Sequence, residues 1–209
     1  MNPTQLPVGF VRLSAFAPLV ARDIRYFTSN NFLGEKVDGY LKNEAILSQT
    51  AAKALLQLQA ALADFSLGLK VFDAYRPQQA VAHFLRWEHT AEDRHIAARF
   101  HPDLSKSELF AQGYIAKRSS HTRGSTVDLT LIDLKNPAQP ELDMGTEFDF
   151  FGPASAPNYP KLTAHQRANR LLLKLLMERY GFRGFDLEWW HFTLNHEPYP
   201  HQYFDFVVQ

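Results

Sequence analysis

From Thr126 to Leu131 the apolar residues Val127, Leu129 and Leu131 alternate with Thr126, Asp128 and Thr130. A period of two marks a β-strand with one face toward a core, because successive side chains leave on opposite faces. No other segment constrains the fold as tightly, since this strand sets a carboxylate, Asp128, on the polar face of a sheet. His121 stands seven residues earlier, with Gly124 between them. Glycine enters backbone regions that other residues resist, so the chain can turn at Gly124 and bring His121 and Asp128 toward one point. Alone, the pair suits equally well a surface histidine at a turn and a solvated aspartate on an edge strand.

The remaining periodicity mixes helices and strands. Ile46, Ala54, Leu55, Leu58 and Leu62 recur at helical spacing and predict a helix from Asn43 to about Ala63, followed by Gly68. Leu69 to Asp73 reads as a short strand. Pro77 fits the first turn of a second helix, where its missing N–H costs nothing, with Val81, Phe84 and Leu85 inward. Thr163 and Gln166 form a capping-box pattern before a helix ending near Gly181, with Leu171, Leu172, Leu175 and Leu176 expected in the core. A last strand runs from Trp189 to Leu194. Residues 23–40 read as loop and short strand, and residues 135–160 as a long irregular stretch. Without a regular βαβ repeat, the class is α+β, and 209 residues suit one domain, 1–209.

Composition narrows the chemistry. The 22 basic and 22 acidic residues balance, so no charge field invites nucleic acid or an anionic membrane surface. No stretch has the apolar length to span a bilayer. There is no cysteine, so any metal must rely on His, Asp or Glu. Met1 to Phe10 lacks a basic region followed by an apolar run. The cytoplasm is the default compartment, and the periplasm if a leader has been removed. The 17 Phe, 8 Tyr and 3 Trp suggest an aromatic-lined interior or pocket.

Glu188-Trp189-Trp190-His191 completes the set. In a regular strand Glu188 and His191 would point to opposite faces, so a bulge or turn must intervene if both serve one site; otherwise the segment is an aromatic core strand with one satisfied histidine. Taken together, His121, Asp128 and His191 offer three metal ligands and leave a coordination position open, the arrangement of catalytic rather than structural sites. Mixed nitrogen and oxygen donors suit zinc best, one ion per chain, with His196 as the fallback ligand. Glu188, as a non-ligand carboxylate, suits the general base and acid of a metal-dependent peptidase. Arg76, in Asp73-Ala74-Tyr75-Arg76-Pro77, suits the cation that meets a developing oxyanion; its plainer reading is a helix-start arginine paired with Asp73.

These motifs resemble the zinc D,D-peptidases of family M15, whose pattern Ser-x-His-x-x-Gly-x-Ala-x-Asp and later Glu-x-x-His is met by Ser119, His121, Gly124, Asp128, Glu188 and His191, with Thr126 in place of Ala. Asp73 to Pro77, Met144 to Asp149, Glu188 to His191, Glu197 to Pro200 and Tyr203 to Phe206 make the chain similar to the VanX-type D-Ala-D-Ala dipeptidases, from about Tyr26 to the C-terminus. The resemblance implies a hedgehog/D,D-peptidase-like fold, with a small mixed or antiparallel sheet flanked by helices. It implies His121, Asp128 and His191 on zinc, Glu188 as base, and Arg76 as the transition-state cation oriented by Asp73. Tyr26 and Asp149 would receive the substrate ammonium, and Ser119 or Ser120 would contact the substrate. The implied partner is the dipeptide D-Ala-D-Ala of peptidoglycan metabolism, with room for a homodimer. A D,D-carboxypeptidase acting on stem peptides is the alternative, and an inactive metal-binding protein a more distant one. Thr126 and the run Phe151 to Pro157 depart from the family's pattern, the latter at the rim of the pocket.

Overall fold

The chain runs β1 (Phe10–Arg12), α1 (Leu13–Phe16), β2 (Ala21–Arg22), β3 (Ile46–Ser48), α2 (Gln49–Leu62), β4 (Leu67–Asp73), α3 (Gln78–Trp87), α4 (Arg94–Phe100), α5 (Lys106–Ala111), β5 (Thr126–Asp133), α6 (Ala164–Arg179), β6 (Phe182–Phe185) and β7 (Glu188–Leu194). Short 3-10 turns lie at Arg25–Phe27, Ala63–Phe65, Ser120–Arg123 and Pro153–Ser155. This computed structural model describes residues 6–138 and 140–209. Residues 1–5 of the N-terminal stretch read above as lacking leader features, and position 139 of the expected long loop, lie outside the described residues. Among the described residues no helix is long and apolar enough to cross a membrane.

Five strands form a mixed sheet in the order β2-β4-β5-β7-β6, and β1 pairs with β3 in a separate two-stranded sheet. Only the β2–β4 contact in the larger sheet is parallel. The α+β class expected from the mixed periodicity is what the chain adopts. β5 lies at the centre and is buried on both faces: Thr126, Asp128 and Thr130 are as covered as Val127, Leu129 and Leu131. The half-buried strand expected from the alternation is therefore a fully buried one. On its polar face Thr126 Oγ1 lies 2.9 Å from Thr193 Oγ1 of the neighbouring strand.

Two helical expectations need correction. α2 begins at Gln49 rather than Asn43, because Ile46 to Ser48 pair antiparallel with Phe10 to Arg12. Ser48 ends that strand and caps the helix, its Oγ accepting from the Ala51 N–H. In α6 the capping box of Thr163 and Gln166 forms as expected, but the helix is rolled away from the leucine face. Leu171 and Leu175 are 53% and 54% exposed and Leu172 is also exposed; of the expected four only Leu176 packs, partly buried, against the core, whereas Asn169, Arg170, Leu173 and Met177 are buried. The inward row is chosen by partners that sequence periodicity does not show: Asn169 and Arg170 donate to main-chain carbonyls of the loop 143–156. α4 and α5 were not anticipated, although Ser105 and Glu108 carry a capping box at the start of α5.

The orientation of α6 makes a direct test. Leu173→Ala is expected to lower unfolding free energy by about 2–5 kcal/mol, and Leu175→Ala by less than about 0.5 kcal/mol, measured from urea midpoints. Equal losses would show that the leucine row faces inward after all.

Candidate active site

Cross-strand register assembles the centre of the site. Asp73 of β4 pairs with Asp128 of β5, and Asp128 pairs with His191 of β7. Directly opposed residues on neighbouring strands share a face, so these side chains form one row across three strands. His121 reaches the row from the 3-10 turn before β5. Ser119 caps that turn by accepting from the His121 N–H at 3.2 Å, and Gly124 closes it with φ +82°. A side chain at Gly124 would meet the Phe10 ring at 2.2 Å, so both backbone angle and space require glycine there.

The break needed between Glu188 and His191 lies in the β6–β7 ladder. Gly184 pairs with Phe192 and the next residue, Phe185, pairs with Glu188, so Trp189 to His191 bulge relative to β6. Glu188 Oε2 thereby comes within 3.6 Å of His191 Nδ1.

Donor atoms of three residues converge. His121 Nε2 lies 3.3 Å from Asp128 Oδ2 and 3.3 Å from His191 Nδ1, and His191 Nδ1 lies 3.1 Å from Asp128 Oδ1. Ligands bonded to a tetrahedral zinc at roughly 2.0–2.1 Å stand about 3.3–3.4 Å apart. The two imidazole nitrogens stand at that spacing, and each has one oxygen of the Asp128 carboxylate at 3.1–3.3 Å. His121 Nδ1 is 2.8 Å from the Ala74 carbonyl, a bond it can make only as donor, which turns the lone pair of Nε2 toward the other two. Asp128 Oδ1 is buried without a hydrogen-bond partner. A buried carboxylate oxygen with no hydrogen bond, 3.1 Å from an imidazole nitrogen, fits a divalent ion.

The electrostatics agree. Asp73, Asp128, Asp149 and Glu188 are all buried, while Arg76 is the guanidinium paired with Asp73 and, at 3.8 Å, with Asp128. Burial, then the charges of Asp128 and Asp149, push the Glu188 carboxyl well above the ordinary carboxylate range. Asp149 is raised in the same way by burial and by Asp128, against the pull of Arg76 and the Tyr26 hydroxyl. Burial also acts on Asp128, but its contacts with His121 and His191 outweigh it and hold the group low. Such a surplus of buried negative charge is costly unless a cation offsets it.

Arg76 is held on several sides. Its Nε donates to Asp73 Oδ2 at 2.9 Å, its backbone N–H donates to the His121 carbonyl, and its guanidinium lies 5.0 Å from the ring centroids of both Tyr26 and Phe84. Asp73 is fixed in turn by the Tyr40 hydroxyl at 2.6 Å. Tyr40 escaped sequence reasoning, since nothing in the segment around Gly39 marks it as more than core.

A cavity of about 330 Å³ opens over the donors. Tyr26, Arg76, Ser119, Ser120, His121, Asp128, Asp149, Glu188 and His191 all line it, so the expected residues come together, apart from Asp73, which lies beneath Arg76. Tyr26 donates to Asp149 Oδ2 at 3.0 Å. Asp149 itself sits at φ +63°, a left-handed conformation costing a non-glycine residue about 1–2 kcal/mol. Ser120 Oγ lies 3.5 Å from His191 Nε2. Tyr114, Arg118, Arg183 and Phe185 also reach the wall, and none stands in a pattern that would have singled it out.

Comparison with known proteins agrees with this geometry. Residues 7–209 match the peptidase M15 family model, described as D-Ala-D-Ala dipeptidase. A D-alanyl-D-alanine dipeptidase of Enterococcus faecium is 36% identical over 98% of this chain and 100% of its own length. Those of Enterococcus faecalis and Streptomyces coelicolor are 40% and 41% identical, over 96% and 89% of this chain and 98% and 91% of theirs. A solved VanB-type D,D-pentapeptidase VanY variant in complex with Zn(II) overlaps with a TM-score of 0.43 at 13% identity, over 87% of this chain and 89% of that one. With a family model matched from residue 7 to the last residue and relatives aligned over nearly their whole length, this chain belongs to the M15 peptidases of the D-Ala-D-Ala dipeptidase family.

Proposed function

We propose that this chain hydrolyses the dipeptide D-Ala-D-Ala to two D-Ala, using one zinc ion held by His121, Asp128 and His191. The observation that carries the reading is the convergence of His121, Asp128 and His191, whose ligand atoms lie within 4.8 Å of one another, with Glu188 beside them and Asp149 in the same cavity. Bound zinc supplies Lewis acidity, acidifying water and polarising the scissile carbonyl.

The side chains divide the remaining work. Glu188, 3.6 Å from a ligand nitrogen, takes the proton from the attacking water and delivers it to the leaving amine. Arg76, locked by Asp73, presents a fixed positive charge where the oxyanion develops, so little reorganisation is needed as the reaction proceeds. Asp149 and Tyr26 receive the substrate's free ammonium, which favours the ionised form of Asp149. A longer peptide brings an uncharged peptide nitrogen to that place and leaves a buried carboxylate unpaired, a penalty that selects for dipeptides. Ser119 and Ser120 line the wall on the His121 side and contact the substrate from there.

Metal-loaded and chelator-stripped protein should differ on a panel of D-Ala-D-Ala, L-Ala-L-Ala and a stem pentapeptide ending in D-Ala-D-Ala, read as released alanine. Metal-dependent cleavage confined to the D,D-dipeptide is the expected result; release from the pentapeptide instead would make the chain a D,D-carboxypeptidase.

Glu188→Ala should retain one zinc per chain by elemental analysis and lose about 10²–10⁴-fold in kcat. An active variant would remove Glu188 as the proton carrier. Arg76→Ala should lose roughly 10²–10³-fold in kcat, the typical cost of deleting an oxyanion donor, with metal content unchanged. Unaltered kinetics would leave Arg76 only its structural pairing with Asp73.

A further inference from the structure

Arg170 on α6 is only 3% exposed. Its Nε donates to the Met144 carbonyl at 2.6 Å, its Nη2 to Ala154 at 2.9 Å and its Nη1 to Ala156 at 2.7 Å. One rigid, planar fork thus clamps both ends of the segment that carries Asp149. Burying a guanidinium against carbonyls, with no hydrogen bond to a carboxylate, is expensive. Burial lowers its pKa to about 10, the neighbouring Asp143 acting in the opposite direction, so it still carries its charge at neutral pH.

The clamp is connected to Asp149 by a short chain of bonds. Ser155, between two of the clamped residues, donates from Oγ to the Phe150 carbonyl at 2.5 Å and lies 3.0 Å from Thr146 Oγ1. Thr146 accepts from Trp189 Nε1 at 2.9 Å, tying the same segment to the residue after Glu188. Asp149 needs such bracing, because its left-handed φ of +63° persists only where the surroundings over-determine it.

We infer that Arg170 is a positioning residue for substrate recognition, setting the span of residues 144–156 so that Asp149 meets the substrate ammonium. The inference rests on the reading of Asp149 as ammonium receptor. Displacing a positioned group by about 1 Å can cost as much as 10²-fold. Relaxation of the clamp should therefore act on affinity and selectivity, with the ligands and Glu188 left in place.

The test uses zinc-loaded full-length protein with Arg170→Ala, Arg170→Lys and Asp149→Asn, assayed on D-Ala-D-Ala and N-acetyl-D-Ala-D-Ala well below each melting temperature. Arg170→Ala should raise KM for the free dipeptide roughly tenfold or more and narrow the preference over the acetylated one by a similar factor, while kcat stays within about threefold. Arg170→Lys keeps the charge but lacks the fork, so it should fall between; it carries the test if the alanine variant does not fold, with zinc content and circular dichroism confirming an intact protein. If Asp149→Asn raises KM while a folded Arg170 variant keeps the wild-type KM and preference, Arg170 is a structural brace and the inference is overturned alone. An unchanged KM in Asp149→Asn overturns the ammonium reading and the inference with it.

Discussion

Register across β4, β5 and β7 is the constraint on which the site depends. Asp73, Asp128 and His191 share one face because they are direct cross-strand partners. A one-residue slip of β5 would carry Asp128 to the opposite face and leave the histidines without their carboxylate. The irregularities lie where that row needs them. One shift falls between Val71 and Asp73, and the β6–β7 bulge lets Glu188 and His191 serve the same cavity. Around this row the backbone helps as much as the side chains do: the Ala74 carbonyl orients His121, and the His121 carbonyl accepts from the Arg76 N–H.

Charge is the second organising principle. Three buried carboxylates, Asp128, Asp149 and Glu188, line a cavity of about 330 Å³, and a fourth, Asp73, lies beneath Arg76. Each raises the cost of ionising its neighbours, and Arg76 offsets only part of it. The arrangement is unfavourable for stability alone, and the divalent cation and substrate ammonium proposed above would offset it. Aromatic rings supply the surrounding rigidity: Phe32 packs edge-on against Phe84, Trp87 and Phe151 at centroid distances of 5.0–5.1 Å, and Phe148, next to Asp149, stacks on Phe72 at 4.9 Å. The loop bearing Asp149 is thereby anchored in the core although it has little regular structure of its own.

Much of the candidate site was legible because its candidate ligands sit in short, local patterns. His121, Gly124 and Asp128 lie within one turn and the strand after it, and Gly124 announces the turn. Glu188 and His191 were legible as a pair, and their spacing itself required the break that the bulge provides. Tyr40, Arg118 and Arg183 were not, because each reaches the site from a segment whose local sequence carries no period or motif pointing there. The inward face of α6 was misread for a related reason. Apolar periodicity favours leucine over arginine in a core, but Arg170 is buried by three carbonyls far away in sequence, and Leu171 and Leu175 are left at the surface.

The sequence by itself determined the α+β class, the strand carrying Asp128, the capped start of α6, and a His-Asp-His donor set with an adjacent glutamate. These depend on side-chain period, capping chemistry and donor type, which are properties of neighbouring residues. Only the tertiary structure decided the order β2-β4-β5-β7-β6, the burial of both faces of β5, the roll of α6 and the seating of Tyr40 on Asp73. Those depend on contacts between residues as far apart as Tyr40 and Asp73, where the free energy of packing and hydrogen bonding outweighs local preference.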